Sequence, residues 1–407
     1  MAPYESEDSQ GAARRKLARY AVPVAVVGVA AATIGLVPAL ADSGDPDLPK
    51  ITAQELIEKI AASDTERLSG TVKIHTDLGL PSLGGAASGL TGGAGGDGGG
   101  KGSASADPRE KLTELATGTH TLRVAADGED RQKLSILDAA SEYSVIHNGT
   151  DVWAYDSASD QAFHTKADQK RGDERAKQQP RDVPATPKQL TDEILEASAD
   201  TTSFTVDGTA QVAGRDAYRL QIKPKQSGST VGAITVSVDA KTGTPLKFTL
   251  TPASGGAAVV DAGFTKVDFA KPSASTFDFK PSKGTKVTEA DDLPKQDRPG
   301  RAPKATGPGG LGGLDGFDVL GKGWTSVAEL KLPGGAGAAG LASGSAPSGV
   351  PADAQKFLDS LGDKVTGKFG TGTVYSTRLV NVLITEDGKV YAGAVTKSAL
   401  VKAADAG

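Results

Sequence analysis

The chain has 407 residues, no cysteine and a formal net charge of -5. This length allows two domains with linkers, since single domains usually contain about 100 to 200 residues. Without cysteine there is no disulfide, thiolate nucleophile or lipid-modified N-terminal cysteine. The two signs of charge are interspersed, which argues against nucleic acid as a partner.

The N-terminal segment has the pattern of an export signal. A basic cluster opens it, at Arg14, Arg15, Lys16 and Arg19. An uncharged run over residues 20–40 follows and ends in Ala39-Leu40-Ala41, a small-x-small cleavage site. We predict that residues 1–41 form a cleaved signal peptide and that the mature protein is extracytoplasmic. Because the run approaches the ~20 apolar residues that span a bilayer, an uncleaved N-terminal anchor is the open alternative.

The first predicted helix carries a complete start signal. Thr52 is placed as N-cap, Glu55 as its capping-box partner, and Ile51 can contact Leu56 as a hydrophobic staple. The helix is predicted over residues 53–62, with Leu56, Ile57 and Ile60 on one apolar face. A helix with one apolar face needs a sheet to pack on, and a strand is predicted directly afterwards, over residues 68–78.

Two polar or small-residue segments interrupt the predicted sheet. Residues 79–108 are almost entirely Gly, Ala and Ser, a composition that buries too little apolar surface to offset chain entropy. We predict a disordered insertion there. Residues 166–182 carry mixed charge and are predicted to form a solvated loop.

The middle of the chain predicts an antiparallel meander. Strands over residues 119–125 and 131–137 are joined by Asp127-Gly128, and strands over 143–147, 151–155 and 161–166 follow. Asn148-Gly149 is predicted to form the two-residue hairpin turn, and residues 156–160 a looser one. Alternation along the middle strand places Trp153 and Tyr155 on the face opposite to Ala154.

A second helix and a second set of strands complete the predicted domain. Thr186-Pro187 starts a helix over residues 188–197. Strands are predicted over residues 203–206, 209–212, 217–222, 233–238, 246–250 and 259–269. Three of them have apolar residues at every second position: Tyr218, Leu220, Ile222; Ile234, Val236, Val238; and Leu246, Phe248, Leu250. We expect these stripes to face one common apolar volume.

The C-terminal third indicates a linker and a smaller domain. Residues 288–316 are rich in Pro, Gly and charge, as linkers are. Residues 317–404 are predicted to form the small domain, with a low-complexity insertion over 333–349. Its predicted elements are an extended segment over 318–332, a helix over 352–361, a hairpin of 379–385 with 389–395, and a helix over 397–403.

Two stretches carry a family resemblance. The first is the turn and strand over residues 149–156, and the second comprises Phe264-Thr265-Lys266-Val267-Asp268-Phe269 and Phe277-Asp278-Phe279-Lys280-Pro281. In pattern and spacing they resemble the periplasmic lipoprotein-carrier (LolA-like) superfamily, which includes sigma-factor regulatory proteins of the MucB/RseB type. The resemblance covers residues 48–287. It implies a half-open antiparallel barrel whose concave side is plugged by helices and holds acyl chains.

The fold class we predict is therefore mainly β (α+β), a half-open antiparallel β-barrel with helices on the concave face, plus a small α/β C-terminal unit. Helices over 53–62 and 188–197 would cover an apolar cavity. The candidate ligand-binding residues are Trp153, Tyr218, Leu220, Val236 and Phe248. Sequence does not decide which of them line a cavity and which are core, and Trp153 and Trp324 also fit ordinary packing.

The residues indicate binding and not catalysis. His75, His120, His147 and His164 fall on strands of one predicted sheet, but their spacing fits no metal-ligand signature. No serine has the strand-turn-helix elbow of a hydrolase. We therefore predict a non-enzymatic protein without cofactor or metal that binds acyl chains of a lipid or lipoprotein. The alternative is an envelope-stress signalling adaptor that binds a membrane-anchored regulatory protein.

Overall fold

The computed structural model describes residues 45–79, 117–167, 187–289, 317–331 and 362–406. Several sequence-based predictions lie outside these ranges. They are the export signal, nearly all of the insertion over 79–108, most of the loop over 166–182, the linker over 290–316, the low-complexity stretch over 333–349 and the helix over 352–361.

A 12-stranded sheet forms the larger part of the structure, in the order β12-β6-β5-β4-β3-β2-β1-β11-β10-β9-β8-β7. Its strands are β1 (Arg67–Thr76), β2 (Gly118–Asp127), β3 (Arg131–Leu137), β4 (Glu142–Asn148), β5 (Asp151–Asp156), β6 (Gln161–Lys166), β7 (Thr202–Val212), β8 (Arg215–Pro224), β9 (Val231–Asp239), β10 (Pro245–Pro252), β11 (Val260–Asp268) and β12 (Lys286–Glu289). Neighbouring strands are antiparallel, except that β12 is parallel to β6. In the described part of the chain the end strands β12 and β7 do not pair, so the sheet is open. The predicted mainly β, half-open antiparallel fold is confirmed.

Two helices accompany this sheet, α1 (Ala53–Ala61) and α2 (Pro187–Ser198). The predicted capping box of α1 is present, because the Glu55 amide donates to the Thr52 hydroxyl at 3.2 Å and the Thr52 amide donates to the Glu55 carboxylate at 2.7 Å. The two helices contact each other through Gln54, whose side-chain amide donates to Asp192 at 3.0 Å.

The turn between β4 and β5 is shifted by one residue from the predicted Asn148-Gly149 turn. Asn148 pairs directly with Asp151, so the two loop residues are Gly149 and Thr150. Gly149 has a φ of 66° and Asn148 has no positive φ. A positive φ at the first loop residue alone is the type II′ pattern, which places glycine where the side chain would be strained.

A bulge joins two strands that the sequence predicts as separate. Residues 203–206 and 209–212 belong to the single strand β7, and the register shifts between Val206 and Thr209. Gly208 lies in the shift with a φ of 76°. Asp-Gly is a turn signal in sequence, but here Asp207 and Gly208 stand opposite the single residue Arg219 and remain within one paired strand.

The register assigns side chains to two faces of the sheet, because directly opposite residues project from the same face. Across five neighbouring strands, one row consists of Phe264, Val72, Leu122, Ile136 and Tyr143. All five are buried. We call their face the inner face and the opposite one the outer face. Trp153 and Tyr155 lie on the outer face, as the alternation predicts.

The inner face contributes to two apolar clusters and not to one common volume, which corrects the expectation. The first cluster includes Leu246, with Phe248 and Leu250 packed against it. The second contains Leu56 and Ile57 of α1 together with Tyr218, Leu220 and Val238. The second cluster forms around the helix, since α1 packs on β7 and β8.

The C-terminal unit is a 6-stranded sheet with one helix. The strands are β13 (Phe317–Leu320), β14 (Val327–Lys331), β15 (Gly362–Gly367), β16 (Gly370–Ser376), β17 (Asn381–Thr385) and β18 (Lys389–Gly393), in the order β13-β14-β18-β17-β16-β15. The helix α3 (Lys397–Ala404) buries Leu400 against Val327, Val374, Leu383 and Tyr391. The predicted hairpin and last helix are present, whereas β15 and β16 are additional to the prediction.

The C-terminal unit contacts the end of the large sheet at the loop between β8 and β9. The Thr230 amide donates to the Ala394 carbonyl at 2.9 Å, and the Thr396 amide donates to the Gly228 carbonyl at 2.7 Å. The indole of Trp324 donates to the Thr202 hydroxyl at 2.8 Å. The contacts between the units combine these hydrogen bonds with apolar packing, since Leu379 of the C-terminal unit packs against the first cluster of the large sheet.

Candidate hydrophobic site

A row of half-buried apolar side chains crosses three strands of the inner face. Val236 on β9 is directly opposite Phe248 on β10, and Ile234 is directly opposite both Leu250 on β10 and Ile222 on β8. Each of these five side chains is only partly buried. We call Ile222, Ile234, Val236, Phe248 and Leu250 the inner apolar patch. It lies between the two apolar clusters, since Val236 packs against the α1 cluster and Phe248 against the other.

Tyr218 and Leu220 are next to this patch but are core residues. They are 8% and 3% exposed and pack under Leu56 and Ile57 of α1. The Tyr218 hydroxyl donates to the carbonyl of Pro49 at 2.9 Å, which fixes the chain that enters α1. A tyrosine can be buried in a core without an energetic penalty when its hydroxyl has a hydrogen-bond partner, as Tyr218 has here. These two candidates therefore hold the helix on the sheet.

Trp153 is separated from the other four candidates by the sheet itself, because it projects from the outer face. Its ring stacks on His164 with centroids 4.1 Å apart, and Phe279 approaches it at 5.3 Å. Tyr155 contacts the same Phe279 at 5.1 Å. The Phe277-to-Pro281 stretch thus packs on the meander from outside, and Trp153 has a packing role there.

The polar groups around Trp153 are paired. His164 Nδ1 lies 2.8 Å from Glu289 of β12, and its Nε2 lies 2.9 Å from Asp151 of β5. The Tyr155 hydroxyl donates to Asp160 at 3.2 Å. Burial, this hydrogen bond and the charges of Asp160 and Asp156 raise the pKa of Tyr155. The phenol therefore stays neutral, and the cluster fastens β12 to the sheet edge.

The four histidines are divided between the two faces. His75 and His164 project from the outer face, and His120 and His147 from the inner face. Burial lowers the pKa of His75, which favours its neutral form. Among the residues that the structure describes, no group of three or more His, Asp or Glu side chains is arranged to hold a metal ion.

Three members of the inner apolar patch were not among the sequence candidates. Ile222, Ile234 and Leu250 belong to the predicted alternating stripes, so their pattern was visible. Their juxtaposition depends on strand register, which pairs Ile234 with both of the others. The register follows from turn geometry and cross-strand packing, and no single stripe reveals it.

The comparisons with known proteins concern the fold. No protein-family model and no curated protein matches the chain. Solved structures to which it is similar include the complex of MucA and MucB from Pseudomonas aeruginosa, at 15% identity and a TM-score of 0.38, covering 86% of this chain and 96% of that chain. Another is a LolA superfamily protein from Nitrosomonas europaea, at 11% identity and a TM-score of 0.20, covering 56% of this chain and 99% of that chain.

The groups of solved structures to which the chain is similar are those named by the sequence resemblance. Both groups named by it, LolA-like and MucB-type proteins, are among the solved structures to which the chain is similar. Within the described ranges, no helix has the length and apolar character needed to cross a membrane.

Proposed function

We propose that the protein is an exported, non-enzymatic binding protein whose larger domain, residues 48–287, holds acyl chains of a lipid or lipoprotein on the inner apolar patch. The observation that carries this proposal is the patch itself. Five apolar side chains on three adjacent strands are contiguous and only half-buried. Each methylene buried against them contributes about 0.8 kcal/mol.

The position of α1 supports this use of the inner face. The helix seals Tyr218 and Leu220, while the rows on β9 and β10 beyond it remain partly open. An apolar surface of this kind next to a helix is where extended hydrocarbon gains contact without displacing the core. Val236 and Phe248 are the two sequence candidates that we retain as ligand contacts.

The test is binding of a fluorescent fatty acid by delipidated protein. Val236→Thr keeps the shape of the side chain but adds a hydroxyl that hydrocarbon cannot satisfy, and we expect it to weaken binding by about tenfold. Phe248→Asp introduces a charge and should abolish binding. Circular dichroism melting of both variants separates loss of binding from loss of fold.

Thr235→Asp is the matched control, because Thr235 lies on β9 next to Val236 but on the outer face, opposite Gln221 and Thr249. It should bind like the wild type. If delipidated wild-type protein binds neither fatty acid nor lipopeptide at micromolar concentrations, the carrier function is wrong. Equal weakening by Thr235→Asp would also contradict the assignment of the site to the inner face.

Export is part of the proposal and rests on residues 1–41. The expected mature N-terminus is Asp42, directly after Ala39-Leu40-Ala41. N-terminal sequencing of protein from the native host shows whether the chain is cleaved before Asp42. If the protein is recovered only from membranes and still contains Arg14, the segment is an uncleaved N-terminal anchor and not a cleaved signal peptide.

A second candidate is a signalling adaptor that binds the external segment of a membrane-anchored regulator. The contact between the two units, part of which is hydrogen-bonded, favours it, since interfaces within a chain allow relative domain motion that a partner can bias. A carrier should copurify with lipid from its host. An adaptor should retain a defined membrane protein after delipidation, and loss of that protein on delipidation would contradict this role.

A further inference from the structure

A cavity of about 390 Å³ lies on the outer face, away from the inner apolar patch. Strands β1, β2, β3 and β11 form its floor, and Thr276 of the short helix Ala274–Thr276 forms part of its wall. Two cross-strand rows supply the floor. One consists of Lys266, Thr71, Arg123 and Ser135, and the other of Asp268, Ser69, Ala125 and Lys133. We call this cavity the outer pocket.

Several hydrogen-bond donors of the outer pocket face solvent and have no close protein partner among the residues that the structure describes. In the ranges that the structure describes, the Lys266 ammonium has no ion pair, and Arg123 has only a long one, at 4.0 Å from Glu142. The hydroxyl groups of Ser69, Thr71 and Thr276 likewise have no side-chain hydrogen bond there. The pocket therefore offers one guanidinium, one ammonium and three hydroxyl groups to a ligand.

Each of the two carboxylates of the pocket, in contrast, already has at least one partner. The Glu142 carboxylate accepts a hydrogen bond from the Ser144 hydroxyl at 2.7 Å and lies 3.8 Å from Lys133. Burial acts to raise the pKa of Glu142, but hydrogen bonds from Ser144 and Ser135 with the charges of Lys133 and Arg123 lower it overall, so the group is ionised. Asp268 accepts the amide of Ala270 at 2.8 Å.

The unmatched groups determine the class of ligand. A ligand that faces several donors and few open acceptors must itself be mainly an acceptor with negative charge. A phosphate group has more acceptor oxygens than the two of a carboxylate. It can therefore accept hydrogen bonds from a guanidinium, an ammonium and hydroxyl groups at the same time. The cavity volume of about 390 Å³ is many times the roughly 30 Å³ that one water molecule occupies in the liquid. It therefore has room for more than a bare phosphate group.

We propose that the outer pocket binds a phosphate group carried on a small polar molecule or on a lipid headgroup, with Arg123 and Lys266 as the principal contacts. This site is independent of the acyl-chain site, because the sheet separates the two faces. A lipid whose chains contact the inner apolar patch cannot place its headgroup through the sheet into the outer pocket. Phosphate binding should therefore leave fatty-acid binding unchanged.

Calorimetric titration with inorganic phosphate and glycerol phosphate tests the proposal, together with sedimentation of phosphatidylcholine vesicles with and without phosphatidic acid. We expect Arg123→Gln and Lys266→Gln each to weaken binding about tenfold, since charge-assisted hydrogen bonds have that magnitude. Glu142→Gln should tighten binding several-fold, because it removes a negative charge from the pocket. Added salt should weaken binding.

Lys223→Gln is the control, because Lys223 is exposed on β8 and projects from the outer face of the same sheet outside the pocket. Binding of glycerol phosphate alone would support a soluble ester, and binding of acidic vesicles alone would support a headgroup, provided that Arg123→Gln weakens that binding about tenfold. The proposal is overturned if no probe binds at roughly 10 mM. It is also overturned if Lys223→Gln weakens binding as much as the pocket variants do.

Discussion

Asp239 is the most heavily engaged carboxylate in the described part of the large sheet. Its side chain is 1% exposed and forms a two-point contact with the guanidinium of Arg215, in which Nη2 donates at 3.0 Å. It also accepts the amides of Lys241 at 3.0 Å and Thr242 at 2.7 Å. One carboxylate therefore fixes both the start of β8 and the turn between β9 and β10.

We predict that Asp239→Asn lowers the free energy of unfolding by about 2 kcal/mol at pH 7, because hydrogen bonds between charged groups contribute about 1.5 to 3 kcal/mol. Burial acts to raise the pKa of Asp239, but Arg215 and Thr242 lower it overall. A lowered folded-state pKa stabilises the protein above the unfolded-state value, and this stability is lost as the pH falls through the folded-state value. The difference between wild type and variant should therefore shrink below about pH 4.

Urea unfolding at neutral and acid pH measures this difference. Asp207→Asn is the control, since Asp207 pairs with Arg219 at 2.7 Å but both side chains are more than one-third exposed. Exposed pairs contribute about 0 to 1 kcal/mol. A difference between Asp239→Asn and wild type that stayed constant from neutral to acid pH would show that the charge of Asp239 does not stabilise the fold.

At the scale of elements, local signals predicted what local chemistry determines. The capping box at Thr52 and Glu55 places the start of α1 correctly, because cap and partner are three residues apart. Alternation likewise predicts the faces of β5, with Trp153 outside and Ala154 inside. The capping and alternation patterns need no knowledge of distant residues, so the sequence alone contains them.

Two glycine-rich strands and one strand with a long-range partner were missed. Strands β15 and β16 are rich in glycine, which disfavours strands in general. At Gly372 a Cβ would lie 2.7 Å from the carbonyl oxygen of Ile384 and 2.8 Å from Leu383, so the neighbouring strand requires glycine there. Strand β12 is short and its pairing with β6 is long-range. Only part of the candidate site could be predicted, because strand register and helix packing decide which side chains stay open. Register places Val236 opposite Phe248, whereas Tyr218 is buried under α1.

At the scale of the whole molecule, one arginine joins the C-terminal unit to the strand that precedes the large insertion. The Arg378 guanidinium donates to the Asp77 carboxylate at 2.5 Å and to the Asp77 carbonyl at 3.1 Å, and also to the carbonyl of Ala257. Its backbone amide donates to the Leu78 carbonyl at 2.8 Å. The two units are therefore held at Asp77 to Gly79 as well as at the loop between β8 and β9.

We predict that Arg378→Gln loosens this contact while both units stay folded, because it removes the charge that Asp77 and two carbonyl groups share. Hydrogen exchange measures the effect, since local opening exposes amides without global unfolding. In the variant, the backbone amides at position 378 and of Thr230, which donate across the interface, should exchange several-fold faster than in the wild type. Amides of β17, which contains the buried Leu383, should keep their protection. Arg219→Gln removes an exposed arginine elsewhere on the sheet and should change none of these rates. Unchanged exchange at both interface amides in Arg378→Gln would mean that Trp324, Thr230 and Thr396 hold the units together without the arginine.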